Sequence, residues 1–79
     1  MPSAYVLINC DLGSEEGIIK ETKGLEGVKE AEGTYGVYDV IAKVESDNME
    51  ALKDIITWKI RRMPKVRSTV TLIVIEGQG

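Results

Sequence analysis

Two short stretches of this chain are written to one pattern. Leu25-Glu26-Gly27-Val28-Lys29 follows one helical segment, and Met63-Pro64-Lys65-Val66-Arg67 follows a second. Each reads apolar residue, two turn residues, Val, base. A unit of strand, helix, turn and strand written twice leaves few folds open, because both helices must then pack on one sheet.

The segments around the repeat fit that frame. Ala4–Cys10 is a short apolar run rich in β-formers and is predicted to be the first strand. Asp11-Leu12-Gly13 breaks it. Ser14 is placed to cap a helix, Glu15 and Glu16 complement the dipole of its first turn, and Ile18, Ile19 and Thr22 form its inner side. Lys20 and Lys23 fall late in that helix, and Gly24 is expected to end it in the left-handed conformation. Val28–Tyr35, polar and Glu-rich, reads as an edge strand. A tight turn at Gly36 leads to a third strand, Val37–Val44, with Asp39 at the turn's exit. Ser46-Asp47-Asn48 offers caps for a second helix, and Asp47 with Glu50 has capping-box spacing. Met49, Leu52, Ile56, Ile60 and Met63 make its apolar stripe, and Pro64 stops it. Val66–Glu76 closes the chain as the fourth strand. The expected fold is therefore an α+β, ferredoxin-like βαββαβ sandwich, with four antiparallel strands and two helices on one face, in one domain over residues 1–79.

The sheet's other face carries a second expectation. With helices on one side only, the far side should alternate to polar residues. Yet strand one offers Val6 and Ile8 to one face and Tyr5 and Leu7 to the other. Strand four offers Leu72 and Val74 against Ile73 and Ile75. These two strands are expected to be neighbours, so their second face needs a cover. In 79 residues that cover is expected from a second copy, as a face-to-face homodimer of the dimeric α+β barrel type.

Chemistry is scarce. The chain has no His, which excludes Ser-His and Cys-His nucleophilic arrangements. It has no His/Cys cluster for zinc, haem or copper, and Gly24, Gly27 and Gly33 match no phosphate-binding loop, so neither metal nor cofactor is expected. Glu15/Glu16 and Glu30/Glu32 read as solvated charges of a helix start and an edge strand. The single Cys10 reads as a small buried hydrophobe of a reducing compartment. The apolar run Ala4–Ile8 is too short for a signal peptide or a membrane span, so a cytoplasmic protein is expected. A net charge of -3 gives no general pull toward nucleic acid or anionic membrane. Lys59, Arg61, Arg62, Lys65 and Arg67 form a basic cluster that reads as cations complementing the end of the second helix, against a phosphate-contacting alternative. Trp58 falls far from the stripe and reads either as an edge-packed residue or as an oligomer contact. High charge with no His and one Gln, Gln78, fits a thermophile composition.

The turn Tyr35-Gly36-Val37-Tyr38-Asp39 has two readings. Gly36 can simply make the hairpin, with Asp39 capping a backbone amide. Alternatively, exposed backbone at Gly36, the Asp39 carboxylate and the phenols of Tyr35 and Tyr38 suit a free amino acid.

Gly36-Val37-Tyr38-Asp39 with its apolar strand, the helix ending in Pro64-Lys65-Val66, and the closing Thr69-Val70-Thr71-Leu72-Ile73-Val74-Ile75-Glu76 together resemble the C-terminal effector-binding domain of the Lrp/AsnC, or feast/famine, regulators. The resemblance covers nearly the whole chain. Lys65 stands where the family pattern has Gly. The family usually adds an N-terminal helix-turn-helix domain, and this chain, whose first strand begins at residue 4, is similar to the stand-alone form. The resemblance implies sheet-to-sheet dimers assembled into rings, commonly octameric, with an amino acid effector held between dimers. It carries effector contact onto Tyr35, Gly36, Tyr38 and Asp39, with Ser68 and Thr69 contributed by a neighbouring subunit. It implies regulation of transcription by assembly with itself or with full-length Lrp/AsnC-type regulators, without catalysis and without sequence-specific DNA binding of its own. A small dimeric α+β barrel enzyme of monooxygenase type and a purely structural assembly subunit are the competing readings.

Overall fold

In the computed structural model, which describes residues 1–75, the first apolar run forms β1, Ser3–Cys10. Its side chains alternate. Ala4, Val6, Ile8 and Cys10 are buried on one face, and Ser3, Tyr5, Leu7 and Asn9 are half-buried on the other. α1 (Glu15–Lys23), β2 (Val28–Gly33) and β3 (Val40–Glu45) follow. α2 (Met49–Asp54) runs directly into a π-helical segment, Ile55–Ile60, and β4 is Val66–Ile73. The strands lie in the order β2-β3-β1-β4, and every pair is antiparallel. This is the ferredoxin-like arrangement that the repeat predicts, with β1 and β4 adjacent and β2 at an edge. Ala4, Val6, Ile8, Val40 and Val44 meet Ile18, Leu52, Ile56, Ile60 and Met63 to form the core between sheet and helices.

The repeat is a repeat of geometry. After α1 the Val28 N–H donates to Leu25 O at 3.2 Å, and after the π-helical segment the Val66 N–H donates to Met63 O, also at 3.2 Å. The third residue of each turn has positive φ, +93° at Gly27 and 75° at Lys65. That is the type II pattern, and Pro64 fills its favoured second position. Gly24 does not take the left-handed conformation expected of it. Its φ is −77°, its N–H bonds to Lys20 O and Glu21 O, and Leu25 N bonds to Thr22 O, so α1 winds out as a tightened turn and the reversal comes at Gly27.

Several boundaries differ from expectation for local reasons. Ser14 sits at the N-cap position of α1, but its hydroxyl donates to Asp11 O and caps no amide. Asn48, not Asp47, caps α2, its Oδ1 accepting from Ala51 N at 2.8 Å; Asp47 lies one position too early for the capping box. Met49 is exposed, so the buried stripe begins at Leu52. The π-helical turn, with Arg61 N bonded to Ile56 O at 3.0 Å, was not anticipated. β4 ends at Ile73, because its partner β1 begins at Ser3 and Val74 N already makes the last bond, to Ser3 O. Glu76 and Gln78 lie outside the described residues.

Where β1 and β4 meet, the second sheet face is apolar, as expected, and nothing among the described residues covers it. Ile41 and Val70 flank Leu7 in one row across the sheet, and Leu72 stands beside Tyr5 in the next. Val70 and Leu72 are exposed. Among the described residues no helix is long and apolar enough to cross a membrane.

Candidate effector-binding site

The site is built where β3 begins and the N-terminal half of β4 passes the end of β1. The expected tight hairpin at Gly36 is instead a longer loop, because β2 stops at Gly33 and β3 starts only at Val40. Thr34 closes the base of this loop. Its N–H donates to Asp39 O at 2.8 Å and its Oγ1 donates to Tyr38 O at 2.7 Å. Gly36 has φ +128°, and among the described residues no heavy atom beyond its two chain neighbours lies within 4 Å of the position a Cβ would take, so Gly is needed there for conformation and the space above it is open. Tyr35 and Val37 project into solvent at the loop tip.

Asp39 joins the loop to β1. Its N–H donates to Ile8 O at 3.0 Å, and its Oδ2 accepts from Cys10 N at 3.0 Å. The carboxylate thus supplies the acceptor that a backbone carbonyl would offer in one more rung of the ladder. This is the amide-capping role foreseen for Asp39. It also fixes the side chain at the junction of two concave spaces. One, of about 490 Å³, is lined by Glu15, Gly33, Thr34, Tyr35, Gly36 and Asp39. The other, of about 420 Å³, is lined by Asn9, Cys10, Asp39, Arg67 and Ser68. Asp39 is common to both.

Of the residues singled out in the sequence, Tyr35, Gly36 and Asp39 therefore share one cavity, and Asp39 and Ser68 share the second within the same chain. Tyr38 lines neither, though its backbone carbonyl fixes the loop. Thr69 lines neither; it pairs with Ile8 on the helix-facing side. Sequence reasoning overlooked Asn9, Arg67 and Glu15. A lone polar residue in an apolar strand was the signal for Asn9. Arg67 was visible only as one member of the basic cluster, and Glu15 only as a helix-start charge.

That cluster does not act as a unit. The Arg62 guanidinium lies 5.1 Å from the centre of the exposed Trp58 ring, a cation–π contact outside the core. Arg67 Nε lies 4.0 Å from Asp11 Oδ1. Among the described residues, no group of three or more His, Cys, Asp and Glu side chains is placed to hold a metal ion.

The profile of the Lrp/AsnC ligand binding domain matches residues 3–77, and the chain belongs to that family. No curated protein matches it in sequence. Among solved structures, hypothetical protein PHS023 from Pyrococcus horikoshii is 40% identical, with a TM-score of 0.90 over 95% of this chain and 90% of that one. E. coli AsnC is 26% identical with a TM-score of 0.87; the match covers 98% of this chain and 52% of AsnC, so the chain spans about half that regulator's length. The transcriptional regulator NMB0573 from Neisseria meningitidis, solved as its L-Met complex, shares the fold at 11% identity and a TM-score of 0.84, over 99% of this chain and 52% of that one. The domain is thus of the effector-binding kind found in a family of transcriptional regulators.

Proposed function

We propose that this chain is an effector-sensing module. It binds an amino acid at the Asp39 loop, between subunits, and modulates transcription by assembling with itself or with full-length Lrp/AsnC-type regulators. The observation that carries this reading is the Asp39 carboxylate, tethered by Cys10 N at the meeting point of two cavities beside an open, Gly36-bearing loop. A fixed carboxylate is a receptor for an α-ammonium group, and cavities of this size admit an amino acid. Family membership and the L-Met complex of the Neisseria regulator support the same ligand class.

The apolar second sheet face supports the assembly part of the proposal. Leu7, Ile41, Val70 and Leu72 form an apolar surface whose burial against a second copy is favourable by about 25 cal/mol per Å². In this reading the protein catalyses no reaction, binds no specific DNA sequence, works in the cytoplasm and forms one domain. Native mass spectrometry with and without the twenty amino acids tests it. An even-numbered assembly that retains one amino acid, or changes size with it, is expected. A dimer indifferent to every amino acid assigns the chain to pure assembly, and turnover of any substrate assigns it to the enzyme class.

A further inference from the structure

β4 carries an irregularity beside Asp39. Asn9 of β1 pairs with Ser68, but the next residue, Cys10, pairs with Val66, so Arg67 has no partner in the ladder. This is a β-bulge, a device that re-aims one side chain. Its physical reason lies in the core. Without the extra residue, strict pairing would set Arg67 opposite buried Cys10, where a guanidinium is costly. With it, Val66 takes that place and packs against the core, and Arg67 is turned into the cavity that also contains Asp39, Asn9 and Ser68.

The charges in that cavity are of opposite sign. Asp39 spends one oxygen on the Cys10 amide. Arg67 is not spent. Its only ion pair among the described residues is the 4.0 Å approach to Asp11, with side chains 71% and 57% exposed, at the limit of contact and screened by solvent. The Asn9 amide reaches Ser68 Oγ only at 3.5 Å, so this donor too is weakly engaged. A carboxylate, a guanidinium and an amide around one space match the two ends of a zwitterion. A planar guanidinium offers a carboxylate two parallel donors, which no neutral amide receives equally.

We propose that Arg67 is the receptor for the effector's α-carboxylate, opposite Asp39 at its α-ammonium, with Asn9 as an auxiliary donor. The ligand class is then restricted to free α-amino acids, excluding their amides, esters and decarboxylated amines. This rests on the effector-sensing reading and adds to it the group that reads the acid.

The test is calorimetric titration of the full chain with each of the twenty L-amino acids, then, for the one that binds, with its primary α-amide and its decarboxylated amine. Wild type is expected to prefer the acid over both by at least about tenfold, the loss that follows removal of a charge-assisted pair. Arg67→Gln is expected to weaken the acid by a similar factor, leave the amide unchanged and so erase the preference. Arg67→Lys is expected to restore part of it. Asp11→Asn, which removes the one ion-pair partner of Arg67 among the described residues, is expected to bind the acid as well as or better than wild type; a role of Arg67 confined to the Asp11 pair predicts that Asp11→Asn and Arg67→Gln behave alike, which overturns the proposal. Because Arg67 and Asp11 are exposed, these variants are expected to fold, and equal circular dichroism spectra check this. If an amino acid binds but its amide binds equally, or Arg67→Gln keeps the preference, Arg67 is not the receptor and the effector-sensing reading stands. If no amino acid binds wild type, both fall.

Discussion

Gly27→Ala is the substitution most directly dictated by the geometry. Gly27 is the positive-φ residue of the turn after α1, and its carbonyl accepts from Glu45 N at 2.8 Å, tying the turn to the end of β3. A Cβ there would lie 2.7 Å from Ile55 Cδ1 and 2.9 Å from Glu45 O. The isoleucine tip can rotate away; the Glu45 carbonyl belongs to the same backbone segment that the hydrogen bond holds in place. Left-handed strain for a residue with a Cβ costs about 1–2 kcal/mol. Overpacking against fixed backbone adds about 1–3 kcal/mol, and the lower unfolded-state entropy of Ala returns about 0.4–1 kcal/mol. The net expectation is a loss of about 2–4 kcal/mol, a large part of a small domain's stability. Lys65, at φ 75°, is the equivalent residue of the second turn and gives the matched control. Lys65→Gly removes about 1–2 kcal/mol of strain and adds about 0.5–1 kcal/mol of chain entropy, so it is expected to stabilise by about 0.5–1 kcal/mol. Urea unfolding followed by circular dichroism, at one fixed protein concentration because association adds to apparent stability, measures both. The reasoning is refuted if Gly27→Ala stays within about 1 kcal/mol of wild type or if Lys65→Gly destabilises by more than that.

Other substitutions separate the remaining parts of the account. Asn48→Ala removes the cap on Ala51 N and is expected to cost about 1 kcal/mol in the same assay, with no loss indicating that another group takes over the cap. Ile60→Ala, at a fully buried position, is expected to cost about 2–5 kcal/mol, and a cost below about 1 kcal/mol would contradict the core described. Leu72→Asp, on the uncovered sheet face, is expected to leave the fold intact and shift the protein toward monomer in light scattering; unchanged assembly would show that the subunits meet elsewhere.

How much of this was legible in the sequence depended on range. Order and type of the elements followed from periodicity, and the duplicated turn was readable because its geometry depends on a few adjacent residues. The apolar second face was equally plain from Tyr5, Leu7 and Leu72. Asn48 was one of the three caps on offer, but the capping box set on Asp47 failed by one position, since Asp47 and Asn48 are chemically interchangeable and only the path of the chain decides between them. The π-helical turn at Ile55–Ile60 left no mark, because the stripe Leu52, Ile56, Ile60 reads the same in an α-helix. At the candidate site, Asp39 stood out in the sequence through its motif. Asn9 and Arg67 were not, because they reach it only through long-range strand pairing, and the bulge that frees Arg67 depends on the register of β4 against β1.

The central claim is that the Asp39 carboxylate receives an amino acid, and calorimetry on Asp39→Asn tests it most directly. The Asn side chain keeps an oxygen to accept from Cys10 N, so the loop keeps its anchor, and only the charge is removed. Wild type is expected to bind one of the twenty amino acids, and Asp39→Asn to bind it at least about tenfold more weakly with an unchanged melting temperature. Equal affinity in the two proteins, or no binding by wild type, would contradict the account.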